Sequence, residues 1–330
     1  MKRLTISLVT YNSERYLHDF CMSLQAQTFT EWDLIVVDNN SFDRSADILY
    51  EHFPNAKIVK QKENIGYAKG HNLVVSWSRS DYILVANTDI VLKPDCIEKL
   101  VQVLDGHDDV AAAGGKLLLW DVEGNERADR IDSCGLVITR SYKVYDRLQG
   151  EPDRATTSQQ VFGISGALVM LRRSALESVK LPHHPGSKTY EFFDEDFFAY
   201  KEDVDLAWRL MIAGWHSYCI GETIAYHHRN ISGVRSSRIE RKQRLAINRY
   251  SYRNHVLMIY KNHFWRVSLR HAARIILFEA AKFVYLLSID RSSWRGFLDV
   301  LRLHRRYALK RRKVQASRRI QPSEFNQWLA

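Results

Sequence analysis

The chain has 330 residues, 45% of them hydrophobic and 26% charged, a composition that excludes a globally disordered protein. The charge is unevenly spread: residues 235–330 hold 23 Lys and Arg against 5 Asp and Glu, whereas residues 1–234 carry a net charge of −8. An acidic front and a basic back indicate two roles. The basic part is expected to have an anionic partner, either nucleic acid or a lipid surface.

The four cysteines are Cys21, Cys96, Cys134 and Cys219, and no two of them show CxxC spacing. This pattern predicts reduced thiols in a cytoplasmic protein rather than a disulfide framework or a zinc site. The basic and then apolar start of the chain is similar to a signal peptide, but polar residues 12–15 end the apolar run early, so we predict a first β-strand. No stretch reaches about 18 uncharged apolar residues, so no transmembrane helix is expected.

Strands and helices alternate over the first 120 residues. Apolar runs predict strands at Leu4–Thr10, Asp33–Asp38, Ala56–Lys60 and Tyr82–Ala86. Helical periodicity predicts helices at 14–27, 43–52 and 67–78, and Pro94 begins another in its first turn. This rhythm implies a parallel sheet with helices on both faces and with ligands at the carboxyl ends of the strands.

The middle of the chain is less regular. Val161–Leu171 is predicted as one strand that contains Gly163 and Gly166, and glycine inside a strand suggests a backbone lying close to a ligand. Asp203–Ala213 is predicted as an amphipathic helix. From about Arg238 onward, helical patterns rich in arginine and aromatic residues dominate.

Polar residues follow the ends of the four predicted strands, and in a parallel sheet they converge on one edge. Ser41 and Asn64 taken alone could equally be helix caps, but four clusters rich in Asp and Asn favour a polar ligand site. The glycine-rich phosphate loops of dinucleotide enzymes and P-loop ATPases are missing, which suggests that a divalent metal carries phosphates, with Asp89 as a ligand. The clusters are Thr10-Tyr11-Asn12, Asp38-Asn39-Asn40-Ser41, Asn64-Ile65-Gly66-Tyr67 and Asn87-Thr88-Asp89.

A second dense feature is the acidic segment, residues 193–205, where six carboxylates lie among aromatic side chains. A solvated charge run is the plain alternative, but the interleaved Phe and Tyr favour partial burial. Burial raises the pKa of a carboxylate, which suits a general base. The pair His227-His228 follows an apolar run and is either structural or a source of metal ligands.

Together these segments resemble the inverting family-2 glycosyltransferases of the GT-A fold, over about residues 4 to 233. Val36 to Ser41 is similar to the nucleobase-binding segment, and residues 202–206 resemble the catalytic Glu-Asp segment. Asn87-Thr88-Asp89 stands where the family has its metal-binding Asp-x-Asp motif, although its first carboxylate is missing here. The likeness is to the rhamnosyltransferase-like branch, which often has Asn-Pro-Asp at this motif. The Gln-x-x-Arg-Trp motif of processive members is absent, which favours transfer of a single sugar.

The resemblance implies a GT-A catalytic domain at residues 1–237, with a mostly parallel sheet flanked by helices. It implies displacement with inversion, in which Asp203 is the base and Asp89 and His227, or else His228, hold Mg²⁺ or Mn²⁺. The expected donor is dTDP-L-rhamnose or a UDP-linked hexose, with Asp38 at the pyrimidine. Gly166 and Glu202 are expected at the acceptor or donor sugar. The expected nucleotide-sugar ligands are Thr10, Tyr11, Asn12, Asp38, Asn40, Asn64, Gly66, Asn72, Asn87, Thr88 and Asp89.

Residues 238–330 are predicted to form a basic, mainly helical region for membrane association. Arg266, Arg270 and Arg274 repeat every four residues beside apolar positions, as on one face of an interfacial helix, and Lys310 belongs to a basic run that follows. An acceptor linked to a polyprenyl diphosphate would explain a cytoplasmic transferase bound peripherally to the inner face of the cell membrane. A helical subdomain packed on the catalytic domain is the alternative for this region.

A different class of function is also open: a non-catalytic sugar-nucleotide-binding protein with a nucleic-acid-binding tail. Two observations weigh against it. Asp89 and Asp203 are both retained, although a degenerate domain needs neither. In the basic region apolar residues outnumber the aromatic residues that would stack on bases, which favours a lipid surface over nucleic acid.

Overall fold

The computed structural model describes residues 2–121, 126–183, 187–228, 238–288 and 294–330. The predicted boundary between residues 237 and 238 therefore borders a segment outside the described residues. The described strands are β1 (Leu4–Thr10), β2 (Trp32–Asp38), β3 (Lys57–Lys60), β4 (Tyr82–Ala86), β5 (Ile90–Leu92), β6 (Val110–Asp121), β7 (Glu126–Ser133), β8 (Leu136–Ile138), β9 (Val144–Asp146), β10 (Gln159–Val161), β11 (Leu168–Arg172), β12 (Leu181–Pro182), β13 (Tyr190–Glu191) and β14 (His216–His227). The described helices are α1 (Glu14–Gln25), α2 (Ser45–His52), α3 (Tyr67–Trp77), α4 (Cys96–Gly106), α5 (Arg173–Val179), α6 (Glu202–Ile212), α7 (Arg238–Asn262), α8 (Trp265–Arg270), α9 (Ala272–Ser288), α10 (Trp294–Ala316) and α11 (Pro322–Gln327).

One mixed sheet of ten strands organises the fold, in the order β10-β14-β6-β11-β4-β1-β2-β3, with β5 paired to β14 and β7 to β6. The strands β4, β1, β2 and β3 are parallel to one another, and β6 is parallel to β14. β11 runs antiparallel to its neighbours β4 and β6. The predicted α/β fold with a mostly parallel sheet is confirmed, and the carboxyl ends of β4, β1 and β2 lie side by side.

The prediction of a single strand over Val161–Leu171 is wrong, because this segment includes parts of two strands, β10 and β11. Residues 162–167 leave the sheet between β10, which pairs with β14, and β11, which pairs with β4. Glycine is needed in this loop because it passes close to α6: a Cβ built at Gly163 would lie 2.4 Å from the Cβ of Ala207. A continuous apolar pattern does not show that a chain turns from one part of a sheet to another.

Helices cover both faces of the sheet, as the sequence predicts. α1, α2 and α4 bury one apolar stripe each against the alternate residues of β1 that include Leu4, Ile6 and Leu8. α3, α5 and α6 pack on the opposite face. The three layers bring the start of α6 beside the carboxyl end of β4, and this places the acidic segment at the ligand-binding edge of the sheet.

Much of the C-terminal region packs on the catalytic core rather than standing apart from it. Trp208 of α6 stacks on Phe325 of α11 with ring centroids 5.4 Å apart, and Tyr307 of α10 is fully buried near Phe197. The prediction of one interfacial helix is also wrong, because α8 ends at Arg270 and α9 begins at Ala272. The predicted alternative, a helical part that packs on the catalytic domain, describes α7, α10 and α11.

α9 exposes an apolar surface to solvent. Ile276, Leu277 and Val284 are 66%, 73% and 61% exposed and lie on one side of this helix. Arg274 lies at the edge of that apolar side and is also exposed. No helix among the described residues is long and apolar enough to cross a membrane.

Buried ion pairs fasten the C-terminal helices to the acidic segment. Lys261 of α7 contacts Asp194 and lies 2.9 Å from a carboxylate oxygen of Asp205. Lys310 of α10 lies 2.5 Å from both Asp194 and Glu191. The sequence places Lys310 in a basic run expected to contact a lipid surface, and for Lys310 this is wrong, because its side chain is only 1% exposed. The two lysines neutralise carboxylates that could not otherwise be buried.

We expect Lys261→Met to lower the free energy of unfolding by about 3–5 kcal/mol, because it leaves the buried Asp194 and Asp205 short of a cation. Urea unfolding followed by circular dichroism measures the change. Lys313→Met on the exposed side of α10 is the matched control and should change stability by less than about 0.5 kcal/mol. Equal stabilities of the two variants would show that the buried pairs do not hold the C-terminal helices in place.

Candidate active site

A cleft of about 460 Å³ opens at the carboxyl edge of the sheet, between the end of β4, the loop before β11, the start of α6 and the end of β14. Five of the predicted site residues line it: Asn87, Gly166, Glu202, Asp203 and His227. Further lining residues include Tyr67, Tyr145, Asp146, Ser165, Lys201 and Ser251. The predicted catalytic and metal-binding segments, which are distant in the sequence, therefore face one cavity.

The carboxylate of Asp203 is held in a fixed orientation. Its Oδ2 accepts a hydrogen bond of 3.0 Å from the backbone N–H of Gly166, and its Oδ1 accepts one of 2.7 Å from the N–H of Val204. The Tyr67 hydroxyl donates to the carbonyl oxygen of Gly166 at 2.7 Å and so braces the same loop. Burial raises the pKa of Asp203, and the two backbone N–H groups only partly offset this. A partly buried carboxylate of raised pKa is suited to accept a proton.

The two neighbouring carboxylates are unsuited to the same role. Burial, and next the charge of Asp203, raise the pKa of Glu202 to about 8, so Glu202 carries a proton at neutral pH. Asp205 is fully buried and engaged by Arg209 at 2.9 Å and by Lys261. Glu202 is thus already protonated and Asp205 is held in ion pairs, which leaves Asp203 as the carboxylate of the Glu-Asp segment suited to accept a proton.

A second carboxylate site lies across the cleft, where β5 pairs with the end of β14 and sets His227 beside Asp89. His227 Nε2 lies 3.6 Å from Asp89 Oδ1, and His227 Nδ1 lies 2.7 Å from Asp132 Oδ2. Burial alone lowers the pKa of His227, but the carboxylates of Asp132 and Asp89 outweigh it and raise this pKa to about 9. The arrangement is that of a histidine whose Nδ1–H is oriented by one carboxylate while Nε2 faces another, so a divalent cation bound there would displace the proton of Nε2.

His227 and His228 face different surroundings. The Nδ1 of His228 lies 3.0 Å from the carbonyl oxygen of Trp120, and its ring lies against Tyr16 with centroids 5.1 Å apart.

Asp89 Oδ1 is buried and has no hydrogen-bond partner in the described part of the chain. A carboxylate oxygen without a hydrogen bond from the described chain and an imidazole nitrogen that face each other fit a divalent cation, since carboxylates bind Mg²⁺ and Mn²⁺ and imidazole is a common ligand of divalent metals.

The predicted nucleoside-binding residues cluster beyond β1 and β2. Asp38 is fully buried: its Oδ1 accepts the N–H of Ser41 at 3.0 Å, and its Oδ2 has no hydrogen-bond partner in the described residues. Asn12 and Asn40 have φ angles of 50° and 63°, a left-handed conformation that asparagine tolerates better than most residues. Thr10 is buried at the end of β1. The cluster leaves Asp38 Oδ2 without a hydrogen bond from these residues, with Lys60 Nζ 3.9 Å away as its ion-pair partner.

Four other residues that the sequence predicts for the nucleotide site lie outside the lining of the cleft. Tyr11 is exposed beyond β1, and Thr88 is partly exposed beside Asp89 at the end of β4. Asn64 Oδ1 accepts the N–H of Gly66 at 2.9 Å in a tight turn. Gly66 has a φ of 85°, and a Cβ there would lie 2.6 Å from the ring of Phe198. None of these four residues is among those that line the cleft.

Asn72, predicted as a nucleotide ligand, has a structural role instead. Its Nδ2 donates to the carbonyl oxygen of Phe193 at 2.8 Å and to Glu195 Oε1 at 3.0 Å. Its Oδ1 accepts the N–H groups of Phe192 and Phe193 at 3.1 and 2.8 Å. These bonds engage both ends of a buried amide, so Asn72 joins α3 to the acidic segment.

The loop just before α6 has a strained backbone. Phe198, Tyr200 and Lys201 have φ angles of 63°, 72° and 72°. Asn254 of α7 is fully buried, and its Nδ2 donates to the carbonyl oxygens of Phe197, Ala199 and Tyr200 at 2.9, 3.0 and 2.7 Å. Strain of this kind persists only where the surroundings impose it. α7 thus helps to shape the cleft.

Sequence reasoning missed several residues of the site. Asp132, Tyr145 and Asp146 come from a part of the chain that shows no clear periodicity, and Ser251 and Asn254 come from a helix of the basic region. No local signal identifies them, because their roles depend on distant segments: Asp132 contacts His227, 95 residues away, and Asn254 contacts Phe197, 57 residues away. A lone aspartate is ordinary in sequence, and only its distance from His227 distinguishes Asp132.

Solved structures show a similar fold. S. aureus TarS is similar with a TM-score of 0.56 at 15% identity, over 96% of this chain and 89% of that chain. The mannosyltransferase PcManGT from Pyrobaculum calidifontis, in complex with GDP-Man and Mn²⁺, is similar with a TM-score of 0.54 at 14% identity, over 99% of this chain and 87% of that one. The fold is therefore the GT-A fold of glycosyltransferases.

The sequence itself matches the family model "Glycosyl transferase family 2" over residues 5–180, and the chain belongs to this family. A similar protein is the N-acetylglucosaminyl-diphospho-decaprenol L-rhamnosyltransferase of Mycobacterium tuberculosis, 26% identical over 247 residues, which are 68% of this chain and 76% of that protein. The poly(ribitol-phosphate) beta-N-acetylglucosaminyltransferase TarS of Staphylococcus aureus is 27% identical over 112 residues, 32% of this chain and 20% of that protein. The predicted resemblance to rhamnosyltransferase-like members of family 2 is confirmed.

Proposed function

We propose that the chain transfers a single sugar, with inversion, from a dTDP- or UDP-linked donor to a lipid-linked saccharide during the synthesis of a cell-surface polysaccharide. The observation that carries this proposal is the cleft lined by both Asp203 and His227, with Asp89 3.6 Å from His227. A proton acceptor faces a site for anionic phosphates there. The similar rhamnosyltransferase, whose name specifies a diphospho-decaprenol acceptor, supports the choice of acceptor.

The chemistry follows from the position of Asp203. An acceptor hydroxyl in the cleft gives its proton to Asp203, and its oxygen forms a bond to the anomeric carbon while the bond to the diphosphate oxygen breaks. Because the attack comes from the side opposite the leaving group, the configuration inverts. The fixed orientation of the carboxylate through Gly166 and Val204 keeps the base ready for this transfer.

Asp89 and His227 would hold the divalent cation, Mg²⁺ or Mn²⁺. When bound, such an ion neutralises the negative charge that develops on the departing nucleoside diphosphate. Asp132 keeps the His227 ring oriented through the 2.7 Å contact with Nδ1, so that Nε2 faces Asp89. Asp89 is the single carboxylate of Asn87-Thr88-Asp89. His227, which lies 138 residues further along the chain, would supply the second ligand.

The donor base is expected to meet Asp38. The Oδ2 of Asp38, which has no hydrogen bond among the described residues and pairs with Lys60 Nζ at 3.9 Å, can accept the ring N–H that uracil and thymine share, so it favours dTDP and UDP donors but does not separate them. We expect dTDP-L-rhamnose or a UDP-hexose, at 100 times its Kd, to stabilise the protein by about 2.7 kcal/mol. Thermal unfolding with a panel of nucleotide sugars and Mn²⁺ tests this. Stronger stabilisation by GDP- or CMP-linked sugars than by both pyrimidine diphosphate donors would overturn the assignment.

The exposed side of α9 supports peripheral attachment to the inner face of the cell membrane. Its apolar residues Ile276, Leu277 and Val284 are exposed beside basic ones, as in a helix that lies in a membrane interface. The nucleic-acid alternative is weakened, because Lys261 and Lys310 of the basic region are buried in ion pairs. An enzyme attached to the membrane would encounter its lipid-linked acceptor on the same membrane surface.

We expect the full chain to co-sediment with anionic vesicles more strongly than with neutral ones, and less so at high salt. Leu277→Glu should reduce the bound fraction about tenfold, since a leucine side chain contributes about 1.5–3 kcal/mol when it leaves water. Met22→Glu on the exposed side of α1 is the control and should bind like the wild type. Deleting residues 238–330 is a poor test, because it would remove buried core residues. Equal sedimentation of the wild type with and without vesicles would exclude a membrane role for α9.

A further inference from the structure

A shallow groove of about 510 Å³ lies between α9 and the turn that joins β8 to β9. It is separate from the catalytic cleft in its lining residues, and neither the sequence motifs nor the family match refers to it. Its polar and apolar lining residues include Thr139, Arg140, Ser141, Arg274, Leu277 and Phe278.

The chemistry of the groove is that of a lipid phosphate site. Arg140 and Arg274 are both exposed and have no ion-pair partner among the described residues, and no Asp or Glu side chain lines the groove. Ala330 also lines it, and a main-chain oxygen of Ala330 accepts the backbone N–H of Arg140 at 3.2 Å. The hydroxyls of Thr139 and Ser141 lie 3.0 Å apart at the same turn. Guanidinium groups and hydroxyls bind phosphate oxygens well. The wall formed by Leu277 of α9 suits a hydrocarbon chain.

The groove is connected to the cleft by the β8–β9 hairpin. Leu136 and Tyr145, near its base, line the catalytic cleft, whereas Arg140 in its turn lines the groove. Three residues of strand separate Leu136 from Thr139, which is about 10 Å at the usual rise. A sugar with its diphosphate spans a distance of this order, which is the distance along the hairpin between residues that line the two cavities.

We propose that this groove binds the diphosphate and the first isoprenoid units of the acceptor, while the acceptor sugar occupies the cleft. The inference rests on the proposed transfer to a lipid-linked saccharide. Arg140 and Arg274 contact the diphosphate, and the prenyl chain runs along Leu277 toward the apolar side of α9, from which it enters the membrane. The groove thereby selects acceptors by their lipid diphosphate and not by their sugar alone.

The test measures binding of geranylgeranyl diphosphate, below its critical micelle concentration, to the full chain by isothermal titration calorimetry. UDP and Mn²⁺ are kept in excess so that the donor site is filled. The double variant Arg140→Gln/Arg274→Gln should raise the Kd by about 10- to 100-fold, since each guanidinium loses a charged hydrogen bond. Arg270→Gln is the matched control, because Arg270 is exposed on the neighbouring α8 and does not line the groove. Its Kd should stay within about twofold of the wild type.

Two further probes separate the sources of the signal. Inorganic diphosphate and uncharged geranylgeraniol should each bind at least about tenfold more weakly than geranylgeranyl diphosphate, because each meets only half of the site. The proposal is overturned if the double variant binds geranylgeranyl diphosphate as tightly as the wild type, or if inorganic diphosphate binds equally well. A wild type that binds the lipid diphosphate through these arginines but binds no nucleotide sugar would keep the groove and overturn the transfer reaction instead.

Discussion

We expect Asp203→Asn to lower turnover by about 10²- to 10⁴-fold, with donor affinity nearly unchanged. The substitution keeps the shape of the side chain and removes its ability to accept a proton. Gly166 and Val204 donate to different oxygens of Asp203, so asparagine keeps one of the two hydrogen bonds on its carbonyl oxygen and turns its NH2 group toward the other N–H. Steady-state kinetics, together with donor binding measured separately, distinguish a lost base from a lost binding contact.

The pH dependence of kcat gives a second test of Asp203 as the base. Because burial raises the pKa of Asp203, the acidic limb of kcat should lie above the usual aspartate range, with activity lost as the pH falls through it. The control is Glu195→Gln, a partly exposed carboxylate of the same acidic segment that does not line the cleft, and it should leave kcat within about threefold. Near-normal turnover of the Asp203 variant would move the base elsewhere in the cleft.

Asp89→Ala should abolish activity, by about 10³-fold or more, because it removes the single carboxylate of the Asn87-Thr88-Asp89 motif and leaves His227 without its partner. Excess chelator should have the same effect on the wild type, and Mg²⁺ or Mn²⁺ should restore activity to the wild type alone. Binding of Mn²⁺ followed by electron paramagnetic resonance gives a readout independent of turnover.

Asp95→Ala is the control for this substitution. Asp95 lies six residues further along the chain and pairs with Lys99 on the surface, at 2.7 Å, away from the cleft. It should leave Mn²⁺ binding and turnover unchanged. Full activity of the wild type in excess chelator would remove the metal from the mechanism and leave Asp89 as a structural partner of His227.

The sequence predicts the front of the fold well because its signals there are local. β1 and β4 have the predicted bounds, Leu4–Thr10 and Tyr82–Ala86, since a buried parallel strand is a short apolar run that polar residues end. The polar residues at those ends then lie on one edge for topological reasons alone. Asp89, Asp203 and His227 are predictable to the same extent, because each stands next to such an end or to a helix start.

The rest of the site could not be read from local pattern. The basic composition of residues 235–330 predicts an anionic partner, and for Lys261 and Lys310 that partner is the acidic segment of the same chain. Net charge does not reveal such a pairing, because it depends on how distant segments pack. Asn254 shows the same limit: its side chain holds a strained loop that precedes it by more than 50 residues.

The anomeric configuration of the transferred sugar tests the central claim most directly. Two-dimensional NMR of the product, formed from the donor that the stabilisation panel identifies, reads this configuration. Our account predicts that it is opposite to that of the donor, because Asp203 serves as a base for one direct displacement. Retention of the donor configuration would contradict the account, since two successive displacements need a second nucleophile at the anomeric carbon.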